Sequence, residues 1–74
     1  MNEDAIRREA KAQKARADLT YEAMSANCGG VLTPRQLELR LSGVTKLSIS
    51  DLSTLALALN ISVEQLVSPS LNAA

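Results

Sequence analysis

Three helix-start signals cut the second half of the chain into pieces that only short helices can fill. They are Thr33-Pro34-Arg35-Gln36, Ser48-Ile49-Ser50-Asp51 and Ser62-Val63-Glu64-Gln65. Each sets a hydroxyl residue ahead of a side chain that can reach back to it. The hydroxyl accepts from the third backbone N–H of the helix, and the later side chain accepts from the N–H of the cap. Pro34 strengthens the first signal, because its fixed φ and missing N–H suit the opening helical position. Stops follow at matching intervals. Gly43 ends the helix from Thr33 to Leu41, since a glycine accepts the left-handed closing conformation. Asn60 turns the chain after a helix that begins at Ser48 and runs to about Leu59. The last helix carries Val63, Leu66 and Val67, and is predicted to stop before Pro69, with a tail beyond it.

The first half reads the same way. Asn2 can cap, with Glu3 and Asp4 suited to the positive end of a helix that runs to about Leu19. Thr20 caps a second helix that ends at Ala26 or Asn27, before Gly29 and Gly30 free the chain to turn. Beta-branched residues are few and never alternate over the length of a strand, so an all-α fold of five short helices is expected. It forms one domain of 74 residues whose core must be aliphatic, because Tyr21 is the only aromatic. In the fourth helix Ile49, Leu52, Leu55, Ala56 and Leu59 make the apolar face, and Leu57 falls off it.

What the chain lacks removes several functions. Cys28 stands alone and there is no histidine, so neither a disulfide nor a zinc site can be built; no metal and no cofactor are expected. The usual general base is missing, as are a glycine-rich phosphate loop and a pair of facing carboxylates, and no enzyme is expected. No apolar run approaches ~18 residues, which predicts a soluble cytoplasmic protein without a membrane span. Net charge is zero, yet its distribution is uneven. Residues 7–46 hold all eight bases against four acids, a local balance of +4. The field that could attract phosphate is therefore confined to the part that contains the helix from Thr33. The ladder Arg7, Arg8, Lys11, Lys14 and Arg16 in the first helix reads as a solvated face, with phosphate contact as the minority alternative.

The helix from Thr33 has two distinct sides. At about 100° per residue, Leu37 and Leu41 share one face with Pro34 beside them. Arg35, Gln36 and Leu39 fall on the far side. A short helix held by two leucines that shows an arginine and a glutamine outward has the chemistry to enter a DNA groove. Helix, glycine turn and capped helix also make the helix-turn-helix pattern.

From Leu32 onward, LTPRQLELRLSG followed by LSISDLSTLALALNISVEQLV resembles the lambda-repressor-like helix-turn-helix family of Cro-type and XRE-type regulators. The resemblance lies in the order and spacing of the helices, the Leu-Ser-Gly stop, the A-x-x-L-N turn and the closing S-x-x-x-L helix, and it covers residues 19–67. Upstream, LTYEAMSANCGG is similar to the family's L-T-x-x-x-L-A second helix, with Met24 for the leucine and Ser25 for the alanine. The turn through Gly29, Gly30 and Val31 is longer than the family's tight turn.

The resemblance implies that Pro34, Arg35, Gln36 and Leu39 occupy base-reading positions in a major groove. Arg35 would bond a guanine edge, Gln36 an adenine, and Leu39 a thymine methyl. Pro34 has no side-chain donor, so its position is read by shape or not at all. Phosphate contacts would fall on Thr20, Tyr21, Thr33, Arg40, Thr45 and Lys46. Tyr21 could equally be a core residue, and Arg40 could pair with Glu22 or Glu38 instead. Leu57, Val67 and Leu71 are the dimer candidates.

The expected function is sequence-specific transcriptional regulation of a phage or bacterial gene. Without a sensor or protease-like extension, the chain looks closer to a Cro-type repressor, a homodimer on a double-stranded DNA operator. The alternative is a protein-binding module with the same fold, antirepressor or antitoxin-like. Zero net charge, Glu38 and Leu39 on the reading side, and the long turn favour that alternative.

Overall fold

The computed structural model describes residues 2–72, with side chains described as far as Ser68. Within that span the chain is all-α, with five helices and no strand. They are α1 (Glu3–Arg16), α2 (Tyr21–Asn27), α3 (Pro34–Ser42), α4 (Ile49–Leu59) and α5 (Val63–Asn72).

Every expected cap forms. Asn2, Thr20, Thr33 and Ser48 accept from the N–H groups of Ala5, Ala23, Gln36 and Asp51. The reciprocal bonds of the capping boxes are present as well: Thr33 N–H donates to Gln36, Ser48 N–H to Asp51 and Ser62 N–H to Gln65, each at 2.9 Å. Caps matter here because helices of seven to fourteen residues are marginal by themselves.

The stops share one device. Asp18, Gly29, Gly43 and Asn60 each take a left-handed conformation, with φ of 53°, 70°, 91° and 58°. The residue after each donates back into the closing turn, as Leu19 does to the Lys14 carbonyl at 3.0 Å and Ile61 to Ala56 at 3.0 Å. At the first stop this shortens the helix relative to expectation. α1 ends at Arg16 rather than near Leu19, because Asp18 performs a closure usually given to glycine. The opposite correction applies to α5, which continues past Pro69 to Asn72. Proline forfeits one helical hydrogen bond, but its φ is itself helical, so it need not terminate the helix.

The core joins all five helices. Ile6 and Ala10 come from α1, Met24 from α2, Leu37 and Leu41 from α3, Leu52, Leu55, Ala58 and Leu59 from α4, and Leu66 from α5. Ile49 is the exception to the predicted face of α4: it is 81% exposed. It opens the helix beyond the edge of the core, and Leu47, two residues earlier, takes the buried place. Ala58 is fully buried although outside the predicted face. Its small side chain lets α2 come close, and Asn27 Nδ2 donates to the Ala58 carbonyl at 2.9 Å. No helix among the described residues is long and apolar enough to cross a membrane.

Candidate nucleic-acid interface

α3 is held on its inner side and bare on its outer side, and the sequence dictates both. Leu37 and Leu41 are buried one turn apart in the shared core, and both α2 and α1 pack against α3. The chain enters α3 through a turn that is tied down. Ser25 Oγ donates to the Leu32 carbonyl at 2.8 Å, and Leu32 is itself buried. The Ser25 hydroxyl thereby ties down the turn directly before Thr33.

On the outer side of α3, Arg35 has a side chain 73% exposed and pairs with Glu38 one turn on. Gln36 is exposed too, but its side chain is already engaged. Its Oε1 accepts from the Thr33 N–H in the capping box, so the amide is not wholly free for a base. Pro34 and Leu39 are half-buried. Leu39 is thus less outward than the helix wheel predicts. Its carbonyl also accepts from Val44 and Thr45, which brings the loop after α3 back over that turn.

The far end of α3 is locked. Arg40 is a phosphate contact by the resemblance, yet it turns inward. Its Nε lies 3.2 Å from Asp51 Oδ1, in a pair whose side chains are only 17% and 12% exposed. The partner is neither Glu22 nor Glu38. The pair is within ion-pair distance but off the hydrogen-bond direction, and Arg40 Nε has no hydrogen-bond partner. Its Nη1 donates to the Gln36 carbonyl at 3.3 Å. Burial pushes the Asp51 carboxyl up, but the Ser48 N–H and the Arg40 guanidinium outweigh it and hold the group below its ordinary value. Arg7 completes the lock from α1. Its guanidinium donates to the carbonyls of Arg40 at 3.0 Å and Thr45 at 3.3 Å, and pairs with Glu3 and Asp4. A cation over the last carbonyls of a helix also complements its negative end.

Among the remaining sites, Thr20 and Thr33 use their hydroxyl oxygens as caps and stay exposed. Thr45 is half-buried, whereas Lys46 is exposed and has no ion pair among the described residues. Tyr21 is half-buried against the core, with the Lys14 ammonium 4.6 Å from its ring centre. Leu57 is 60% exposed, and Ile49 lies two turns before it on the outer side of α4. Val67 packs against the core rather than facing outward. The side chain of Leu71 lies beyond the described ones.

Two residues with clear tasks escape sequence reasoning. Asp51 is legible as a cap but not as the partner of Arg40. Arg7 is legible as one charge of a ladder but not as the tie between α1 and α3. The contacts of Arg7 with Arg40 and Thr45 span 33 and 38 positions, and no local pattern records them. No family model matches the chain, and comparison with curated proteins and with solved structures finds no match.

Proposed function

We propose that the protein is a sequence-specific DNA-binding regulator that lays the first half of α3 in the major groove. The observation that carries this reading is the contrast across α3: Leu37 and Leu41 buried, Arg35 and Gln36 exposed on its capped opening turn. A reading helix needs a rigid seat and a free edge, and α3 has both. Thr20, Thr33 and Lys46 are placed on the surface where they can meet phosphates. Arg8, Lys11 and Arg16 are exposed, have no ion pairs among the described residues, and add to the positive side. Repression of a phage or bacterial promoter by a homodimer follows from the family resemblance, with Leu57 on the dimer face and action in the cytoplasm.

The test is a gel-shift titration of wild type and Arg35→Ala on the DNA upstream of the protein's own gene. Loss of a bidentate base contact lowers affinity for the preferred site about tenfold to a hundredfold. Unchanged affinity and unchanged sequence preference sink the proposal.

A second reading, a protein-binding module on the same fold, is favoured by Ile49 and Leu57, two large apolar side chains exposed on α4. The two readings separate on salt. DNA affinity that falls steeply as salt rises supports the regulator, since phosphate neutralisation releases counterions.

A further inference from the structure

The outer side of α4 carries no charge, in a chain of which 22% is charged. Asp51 is the only charged residue of that helix, and it turns inward to Arg40. Outward stand Ile49, Ser50, Ser53 and Leu57, all exposed, and Ile49 and Leu57 are large and apolar. At about 100° per residue the four fall within one sector of the helix, away from Leu52, Leu55 and Leu59. Val31 and Val44 are exposed too, but each stands singly outside the helices, and scattered apolar residues need no partner.

The sector has the symmetry of a self-contact. Ser53 stands four residues after Ile49 and four before Leu57. Two copies of α4 laid antiparallel about an axis at Ser53 therefore set Ile49 of each copy against Leu57 of the other. The two apolar contacts lie about 12 Å apart along the helix. Between them the Ser53 side chains of the two copies meet. They are small enough to let the helices approach, and each hydroxyl can donate and accept. No charge is opposed or buried anywhere along this contact, whereas a charged partner finds no complement on it.

The size of the face sets the strength of the contact. One helix of eleven residues is about 16 Å long, and a pair of them covers less than the ~1,200 Å² of a stable complex. A foreign protein held by this face alone falls away. Two copies of the chain on adjacent half-sites instead meet at an effective concentration of about millimolar. Resting on the homodimer of the reading above, we propose that the outer side of α4 is a self-association surface. Two copies pack antiparallel about Ser53, weakly in free solution and firmly once DNA holds them side by side.

The test is disulfide trapping of the full chain at about 1 mM without DNA, the concentration that adjacent half-sites impose. Cys28 is buried and stays out of the exchange. Chains with Ser53→Cys should link to their own kind. Chains with Ile49→Cys mixed with an equal amount of chains with Leu57→Cys should give the mixed pair at least about tenfold over either like pair, because only unlike positions come within bonding distance. Ser42→Cys, exposed on α3, is the control for random collision. Leu57→Glu added to Ser53→Cys should cut the linking at least about tenfold, since it sets a charge against Ile49 of the second copy. Its melting temperature should stay at the wild-type value, because Leu57 is exposed in the single chain. Pairs in random proportions, an excess of like pairs, or linking of Ser53→Cys no faster than that of Ser42→Cys overturns the antiparallel dimer and leaves the face to another partner. Trapping that fails while the gel shift succeeds removes only this dimer. Trapping that succeeds while no DNA is bound keeps the contact and removes the regulator.

Discussion

The two ends of α3 are built on different principles. The opening end is made of contacts between residues three apart: Thr33 with Gln36 in the capping box, Arg35 with Glu38 on the surface. The closing end is made of contacts that cross the molecule, from Arg40 to Asp51 of α4 and from Arg7 of α1 to the carbonyls of Arg40 and Thr45. The first arrangement leaves side chains adjustable and accessible. The second fixes the helix to its neighbours. A helix that must meet a ligand of its own shape profits from this division, since the anchored end sets the approach and the free end supplies the chemistry.

The division can be broken at the locked end with the largest effect. Asp51→Ala removes half a capping box and strands the half-buried Arg40, and should cost about 3 kcal/mol or more. That is a large share of the stability of so small a domain, and a urea titration measures it. The same pair gives a pH signature. The folded Asp51 carboxyl is held below its ordinary value, so its contribution is complete above that value and is lost as pH falls through the folded one. Wild type should therefore lose stability below about pH 4 in a way that Asp51→Asn does not. Identical pH profiles for the two proteins would remove the pair as a stabilising element.

An intermediate effect is expected at the stop. Gly43 has φ of 91°, and the space beside it is open enough for a methyl group, with Arg7 as the nearest neighbour at 3.8 Å. The strain of Gly43→Ala is therefore in the backbone, about 1–2 kcal/mol, and thermal unfolding reads it. The smallest stability effect belongs to the free end. Arg35→Ala should stay within about 0.5 kcal/mol of wild type, because its partner Glu38 is a surface contact. A larger loss would mean that the opening end also carries the fold, and the contrast between the ends would be lost.

What could be read in the chain follows the same line. The caps at Asn2, Thr20, Thr33, Ser48 and Ser62 are local, and residues three apart announce them. So do the buried Leu37 and Leu41, which the helical period places together. The stop at Asp18 is local as well, but the residue type hides it, since aspartate takes the left-handed conformation less often than glycine. Ile49 fits the apolar period of α4 and is exposed all the same, because period records a face and not how far the core extends along it. Arg40, Asp51 and Arg7 are joined only by the folding of α1, α3 and α4 onto one another. Their charges are visible in the chain, whereas their pairing is a property of the assembled molecule. Gln36 belongs with the local features instead. Its outward position on the wheel is legible, and residues three apart also announce its bond to the Thr33 N–H, whereas the inward turn of Arg40 beside it is not announced.

The placement of Tyr21 gives the protein a built-in optical reporter. It is the only tyrosine, and no tryptophan masks it. Its ring sits where α1 hands over to α2, with the Lys14 ammonium on one face and the core beside it. Its emission therefore answers to the Lys14 contact and to the packing of α2 on the shared core.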